Sequence, residues 1–308
     1  MKILVTGGAG FIASHVADAY LANGHDVTIV DDLSSGRMEN VNPKANFIKM
    51  NIQDDEIKSV FSQGAFDVVN HHAAQMDVRK SVADPKFDAR INVLGTLNLL
   101  ENCVKYHVKK FIFSSTGGAV YGEQNTFPAD EEHPTWPICP YGITKLSCEK
   151  YLFYYKEILG LEHVIFRYAN VYGPRQNPHG EAGVVAIFTE KLLAGEQPVI
   201  NGDGKQTRDY VFVGDLVRAN LKALDYGKSD VFNLGTSVET DVNQIFGHLN
   251  ELTGAGMREM HGAAKAGEQL RSCLNVKKAE NVLGWKPEIG LPEGLKQTVD
   301  YFLDKNKN

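Results

Sequence analysis

The stretch between Lys2 and Asp32 constrains this chain most. Lys2 to Thr6 is a short apolar run that reads as a buried strand, and it feeds straight into Gly7-Gly8-Ala9-Gly10-Phe11-Ile12-Ala13. An amphipathic helical pattern follows to about Asn23 and is closed by Gly24. Asp26-Val27-Thr28-Ile29-Val30 is a second buried strand, ending in Asp31-Asp32. Strand, glycine-rich turn, helix, strand and acid in this order describe a dinucleotide site. The glycines let the backbone approach a pyrophosphate, the helix N-terminus meets its charge, and the acid holds ribose hydroxyls. The spacing is Gly-x-x-Gly-x-x-Ala, in which Ala13 still permits close helix–strand packing. A carboxylate at the second strand end repels a 2′-phosphate, which favours NAD over NADP. The bland alternative is a tight turn in an α/β protein that binds nothing. With all the parts in place, dinucleotide binding is the stronger reading.

The alternation then repeats. Phe47 to Met50 reads as a strand, residues 54–63 as a helix, and Asp67 to Asn70 as a strand ending at His71-His72-Ala73-Ala74-Gln75. One long helix is expected from Asp84 to His107, then a strand at Lys110 to Ser114. Such alternation implies an α/β fold with a Rossmann-type doubly wound parallel sheet, whose ligands sit at the carboxyl ends of the strands. Gly7, Asp31, Ala73 and Ser114 all fall at such ends and converge on one crevice. His71 and His72 are adjacent in a strand and point to opposite faces, so a shared metal ion is disfavoured. Beyond Val171 the alternation weakens and polar, glycine-containing loops increase. This divides the chain into a dinucleotide-binding domain, 1–170, and a smaller α/β substrate lobe, 171–308. A strand near 231–235 is expected to return to the first sheet.

Tyr141-Gly142-Ile143-Thr144-Lys145, downstream of Ser114-Ser115-Thr116, is the candidate chemistry. A tyrosine and a lysine four residues apart share one helix face. Free tyrosine, with a pKa near ~10, is a poor base at neutral pH, and a neighbouring fixed cation stabilises its phenolate. The Thr116 hydroxyl can hold the substrate oxygen whose proton moves. Alone, this spacing also describes a lysine snorkelling over a half-buried tyrosine; the dinucleotide signature upstream is what favours chemistry.

Composition removes other classes. The net charge is −6 with acids and bases mixed along the chain, and no basic stripe marks a nucleic-acid partner. No apolar run is long enough to span a bilayer, and Met1 to Val5 stops at Thr6-Gly7-Gly8, too early for a signal peptide. Cys103, Cys139, Cys148 and Cys273 lack paired spacing, which argues against zinc or a disulfide framework and fits a reducing cytoplasm.

With these residues in view, the chain resembles the extended short-chain dehydrogenase/reductase family over nearly its whole length, and within it the UDP-glucose/UDP-galactose 4-epimerases. The signatures are TGGAGFIASH, VDDLSSG, HHAAQ, NVLGTLNLLE, SSTGGAVYG, PYGITK, RYANVYGPRQ, GDGKQTRDYVFVGDL and LGWKP. The resemblance implies Thr116, Tyr141 and Lys145 as the catalytic set and NAD as a retained cofactor. It implies that Gly7, Gly10, Phe11, Ile12, Asp31, Asp32, Gly36, Asn51 and Ile52 hold the adenosine and pyrophosphate side. Ala73, Ala74, Gln75, Asn92, Ser114 and Tyr168, with Tyr141 and Lys145, would line the rest of the cofactor pocket. Asn170, Val184, Val199, Asn201, Arg208, Lys265, Glu268 and Ser272, with Thr116, would bind a UDP-sugar. Arg208 suits a diphosphate through its planar fork, although a surface ion pair with Asp209 also accounts for it. Three positions depart from the family pattern. Asn51 replaces an aspartate that contacts the adenine amino group, and Lys265 replaces an arginine that grips the diphosphate. Ser272 is small where side-chain size limits bulk at carbon 2 of the sugar, so N-acetylhexosamines are expected to fit as well as hexoses.

The implied reaction is reversible inversion at carbon 4 of a UDP-hexose through a 4-keto sugar. A nucleotide-sugar 4,6-dehydratase shares the cofactor and the Tyr/Lys pair, but related enzymes carry Asp-Glu directly after the threonine, where this chain has Gly117-Gly118. A UDP-glucuronate 4-epimerase or decarboxylase needs a basic pocket for a carboxylate; none is identifiable, and the sequence alone leaves that alternative open. A non-catalytic NAD-sensing protein has no need of Thr116, Tyr141 and Lys145 together. A homodimer through a four-helix interface is expected from the apolar surface of the helices at Asp84–His107 and Tyr141–Leu159.

Overall fold

The computed structural model describes residues 1–179, 183–264 and 269–306. Strand and helix alternate through β1 (Lys2–Thr6), α1 (Phe11–Ala22), β2 (Asp26–Asp31), β3 (Asn46–Lys49), α2 (Ile57–Gly64) and β4 (Val68–His71). Then come α3 (Val78–Ala83), α4 (Pro85–Ala89), α5 (Gly95–Lys105), β5 (Lys110–Thr116), α6 (Gly117–Val120), α7 (Pro140–Leu159) and β6 (Glu162–Tyr168). The chain continues through β7 (Asn170–Tyr172), α8 (Val184–Leu193), β8 (Ile200–Asn201), β9 (Thr207–Phe212), α9 (Val213–Asp225) and β10 (Asp230–Leu234). It closes with β11 (Glu239–Asp241), α10 (Val242–Thr253), β12 (His261–Gly262), β13 (Arg271–Ser272) and α11 (Leu291–Asn306).

Seven strands form one parallel sheet in the order β10-β6-β5-β4-β1-β2-β3. The chain runs outward from β1 to β3, then crosses back to β4. The strand order therefore reverses between β1 and β4, which opens a crevice at their C-terminal ends. Alternate residues of each strand serve opposite layers. Ile3 and Val5 join the cluster under α1 and α9, whereas Leu4 joins the one under α2, α5 and α7. Such two-sided burial is why these strands read as unbroken apolar runs. β10 lies beside β6, Phe232 opposite Phe166, so the chain re-enters this sheet after leaving it at Tyr168.

The residues between β6 and β10, joined by helices α10 and α11 from after β10, build a second core from Phe188, Ile200, Phe212, Ile245, Phe246 and Leu295. Its sheet has β9 at the centre, paired with β7, β11 and β13. A contact from α1 knits the lobes: the His15 ring nitrogen Nε2 lies 2.9 Å from the Pro174 carbonyl.

The single helix expected from Asp84 to His107 is present as a continuous helical run from Pro85 to Lys105, with a wider turn inside it. Pro85 takes the first position of α4, and the Asp84 carboxylate accepts the Phe87 N–H, so Asp84 is a cap and not helix interior. Between α4 and α5, Arg90–Leu94 widens into a π-turn that carries Asn92 inward, 2 % exposed.

Candidate active site

The glycine turn is shaped by contact. Gly7 adopts φ +72°, and a Cβ there would lie 2.7 Å from the Ala73 nitrogen, so β1 and the segment after β4 meet where no side chain fits. α1 begins at Phe11 after an extended Gly10, and no side chain caps it, which leaves the N–H groups of its first turn to a ligand. Asp31 closes the cradle. Its two carboxylate oxygens accept the Ala9 N–H at 3.0 Å and the Leu33 N–H at 2.8 Å, and burial raises its pKa. A Cβ on Gly36 would stand 2.8 Å from Ala9 Cβ and 2.9 Å from Asp31 Oδ1. A glycine-rich turn, an open helix N-terminus and a carboxylate together fit a dinucleotide. Asp32 accepts the Ser34 N–H and, at 2.9 Å, the Asn51 side-chain amide. The Asn51 oxygen accepts from Gln53. Asn51 is thus tied to its neighbours, and Ile52 beside it is 4 % exposed.

The opposite wall is a chain of buried polar contacts. His71 lies 2.6 Å from Thr6 Oγ1 and 3.0 Å from Thr96 Oγ1, while His72 reaches the Tyr168 hydroxyl at 3.2 Å. The two rings diverge. Burial, seconded by the Lys145 ammonium, holds His71 well below the ordinary histidine range and pushes His72 down to about 3. Among the described residues no three His, Cys, Asp or Glu side chains come together as a metal site. Ala73 and Ala74 follow β4. Gln75 and Asn92 exchange two bonds, Gln75 N–H to Asn92 Oδ1 at 2.8 Å and Asn92 Nδ2 to the Gln75 carbonyl at 2.9 Å.

Thr116 ends β5, and Tyr141 and Lys145 lie on the first turns of α7. The Lys145 ammonium donates to the Ser114 carbonyl at 2.7 Å and sits 4.7 Å from the Phe113 ring centre. At 3 % exposure, burial pushes its pKa down to about 8, against the opposing pull of Cys148, Asp88 and Glu149. Burial, then the Asp88 carboxylate, raises the Tyr141 phenol. A fixed positive charge is therefore what the phenol needs in order to ionise near neutrality. Thr116 caps nothing with its side chain. A Cβ on Gly118 would lie 3.8 Å from both Thr116 Oγ1 and Asn170 Oδ1, so the glycine leaves room between these two groups.

On the second lobe, Asn170, Arg208 and Ser272 share one sheet, with Asn170 opposite Tyr210 and Ser272 opposite Arg208. Val184 opens α8, Val199 is 41 % exposed, and Asn201 lies on a separate two-stranded ladder opposite Gly262. Asp209 is buried. Its carboxylate accepts the Thr236 N–H and hydroxyl and the Ser237 and Leu274 N–H groups, while Arg208 donates to the Thr207 carbonyl. Lys265 and Glu268 lie outside the described residues.

Several residues that support the site escaped the sequence reading. Ser81 Oγ accepts the Tyr141 N–H, and Asp88 accepts from Thr144 at 2.7 Å, Gln75 and Asn92. A charged residue near a proline reads as surface, yet Asp88 on α4 is fully buried. Glu149, one turn beyond Lys145 on the same face, is also buried, although polar residues at i, i+4 spacing equally describe a solvent-facing stripe.

Residues 3–235 match the sequence model of the NAD dependent epimerase/dehydratase family. A UDP-glucose 4-epimerase of Mycolicibacterium smegmatis is 43 % identical over 313 aligned positions, covering 100 % of both chains. A crystal structure of UDP-glucose 4-epimerase with UDP-glucose from Thermotoga maritima superposes with a TM-score of 0.98 at 51 % identity, over 99 % of this chain and 100 % of that one. The Thermus thermophilus UDP-glucose 4-epimerase in complex with NAD superposes at 0.93 with 41 % identity, over 98 % of this chain and 99 % of that one.

Proposed function

This chain belongs to the NAD dependent epimerase/dehydratase family, and from that premise we propose that it catalyses the reversible 4-epimerisation of a UDP-hexose, UDP-galactose and UDP-glucose foremost. One observation carries the reading: Thr116 ends β5 and is followed directly by glycine at 117 and 118, where related dehydratases carry an acid pair, while Tyr141 and Lys145 open α7. Elimination across carbons 5 and 6 needs such a second pair, and epimerisation does not. The space beside Gly118 suits a sugar that must turn.

Bound NAD supplies reversible oxidation at carbon 4, and Gly7, Gly10, Phe11, Ile12, Asp31, Asp32, Gly36, Asn51 and Ile52 would hold its adenosine and pyrophosphate. Ala73, Ala74, Gln75, Asn92, Ser114 and Tyr168 would line the remainder. Tyr141 takes the proton of the 4-hydroxyl, Lys145 stabilises the phenolate, and Thr116 orients the oxygen. The 4-keto sugar stays tethered through its diphosphate, turns, and recovers the proton from Tyr141 after reduction on the other face. Because the sugar must turn, affinity has to reside in the UDP, for which Arg208, Asn170, Asn201, Val184, Val199, Lys265 and Glu268 are the candidates. Small Ser272 admits an N-acetyl group at carbon 2.

The outer face of α7 exposes Ile143, Phe153, Tyr154 and Ile158, which fits a second copy of this chain packed helix to helix. No described helix is long and apolar enough to cross a membrane, and with four unpaired cysteines the protein is proposed to work in the cytoplasm.

The test is chromatographic. Purified protein is incubated with UDP-galactose and, separately, UDP-N-acetylgalactosamine, in parallel with a Tyr141→Phe variant. Conversion to the 4-epimer should fall about 10²–10⁴-fold in the variant. Absence of conversion of both substrates by NAD-loaded parent protein would sink the reading.

A further inference from the structure

Behind the Tyr141/Lys145 pair lies a buried ion pair to which the reaction assigns no task. Tyr141, Lys145 and Glu149 occupy successive i, i+4 positions on α7. Lys145 takes the carbonyl of Ser114, and one turn on Glu149 Oε1 accepts the hydroxyl of Ser115 at 2.5 Å. The same carboxylate receives Arg167 from β6, Nη2 to Oε2 at 2.6 Å and Nε to Oε1 at 3.1 Å. Arg167 Nη1 donates to the Tyr121 hydroxyl at 3.0 Å, which in turn donates to Asn233 of β10 at 2.7 Å. Ser115, Glu149, Arg167, Tyr121 and Asn233 are each at most 5 % exposed.

The position of this cluster decides what it does. Ser115 and Arg167 are register partners across β5 and β6, and the next pair along is Thr116 with Tyr168. Two consecutive residues of β5, Ser114 and Ser115, are thus held by two consecutive turns of α7, and Thr116 is the residue after them. A bidentate arginine–carboxylate pair is geometrically stiff, whereas a lone serine–carboxylate bond is not. A spacing error of about 1 Å between acid–base groups and substrate can cost about 10²-fold in rate.

We propose that Glu149, Arg167 and Ser115 are positioning residues that set the spacing between Thr116 on β5 and the Tyr141/Lys145 pair on α7. The proposal rests on the reaction assigned above only for the roles of those three groups; the tie itself is independent of substrate. Tyr141 and Lys145 are faced by Asp88 from α4, by Cys139, Cys148 and Glu149 on or next to α7, and by His71 at the end of β4 with His72 just after it. Loosening the tie lets the Ser114 carbonyl that holds the Lys145 ammonium shift against α7 without adding charge, provided that both members of the ion pair are replaced.

The experiment compares the NAD-loaded parent with Ser115→Ala and with the paired Glu149→Met/Arg167→Met variant, which leaves no unpaired buried charge. Thermal unfolding and bound NAD are measured first. The Tyr141 phenol is then titrated by NMR of ring-labelled tyrosine, assigned with Tyr141→Phe, and kcat and KM are measured per NAD-loaded protomer. In the paired variant the Tyr141 midpoint should rise by more than about half a pH unit, and kcat should fall at least about tenfold with KM within about threefold, with smaller changes of the same sign in Ser115→Ala. An unmoved midpoint in NAD-loaded variants, whatever their melting temperature, would reduce the cluster to a fold-stabilising pair and overturn the proposal. If the parent turns over no nucleotide sugar, the assigned reaction is lost, and the titration alone decides the positioning.

Discussion

The two walls of the crevice are built on different principles. On the cofactor side the candidate residues stand at the ends of five- to seven-residue parallel strands, β1, β2 and β5, or lean on buried side chains: Thr6 on His71, Asn92 on Gln75 and Asp88, Tyr168 on Asn220. On the substrate side they stand on strands of two or three residues, β7, β8 and β13, or flank them, with Arg208 on the longer β9. The outer tie there is an exposed ion pair between Arg271 and Glu239. Asp209 is the exception, a buried carboxylate that gathers four donors and anchors β9 to the Thr236–Ser237 turn and to Leu274. A retained cofactor calls for a wall that is organised before binding. A sugar that turns within its site calls for a wall that grips only the nucleotide. Substitutions on the first wall should therefore change chemistry and stability together, and those on the second chiefly KM.

The sharpest test is Lys145→Met. The turnover should fall about 10²–10⁴-fold, yet the protein should be more stable at pH 7. Burial pushes Lys145 from its ordinary 10.5 to about 8. Between those values the unfolded chain holds a proton that the native chain has released, so parent stability rises with pH across that window and is lowest below it. At pH 7 the cost of the buried ammonium is fully present. Its replacement should gain about 1–2 kcal/mol, after allowance for the lost bond to Ser114. Urea unfolding at pH 7 and at pH 10 checks both signs. The parent should gain stability between the two pH values, and the variant should not.

Next in size is Asp31→Ala. It removes the expected ribose contact and also the acceptor for the Ala9 and Leu33 N–H groups, so NAD should bind about 10–100-fold more weakly, with the preference over NADP reduced. Equilibrium titration with both cofactors measures it. Unchanged NAD affinity would remove Asp31 from the cofactor wall.

How much of this was legible in the sequence follows from what each feature needs. The doubly wound sheet was readable because its strands are buried on both faces and its turns need glycine, which are local demands. Thr116, Tyr141 and Lys145 could be put forward as candidates because a helix face and a strand end are short-range constructs. Asp88, Glu149 and Arg167 could not be joined, since their partners lie on other elements and a charged side chain carries no local mark of burial. The π-turn at Arg90–Leu94 has no period of its own to betray it. Arg208 beside Asp209 invited an ion pair, but the structure gives the Asp209 oxygens four other donors.

On the substrate wall, Arg208→Lys keeps the charge and loses the fork. KM for the nucleotide sugar should rise about 3–10-fold with kcat within about twofold. A matching fall in kcat would mean that this wall, too, is organised for chemistry, and the contrast between the walls would fail.

The smallest effect concerns Asn51. The resemblance places an aspartate here in related enzymes, which makes Asn51→Asp look like a repair of the adenine contact. In this chain the Asn51 amide donates to Asp32 at 2.9 Å, and an aspartate would set two carboxylates against each other beside the proposed adenosine site. The repair should therefore fail alone, with NAD binding about two- to threefold weaker. Pairing it with Asp32→Asn reverses the donor and acceptor and should restore the affinity. Stronger NAD binding by the single variant would mean that Asp32 swings away when the cofactor enters. The cofactor wall would then be less organised in advance than its hydrogen bonds imply.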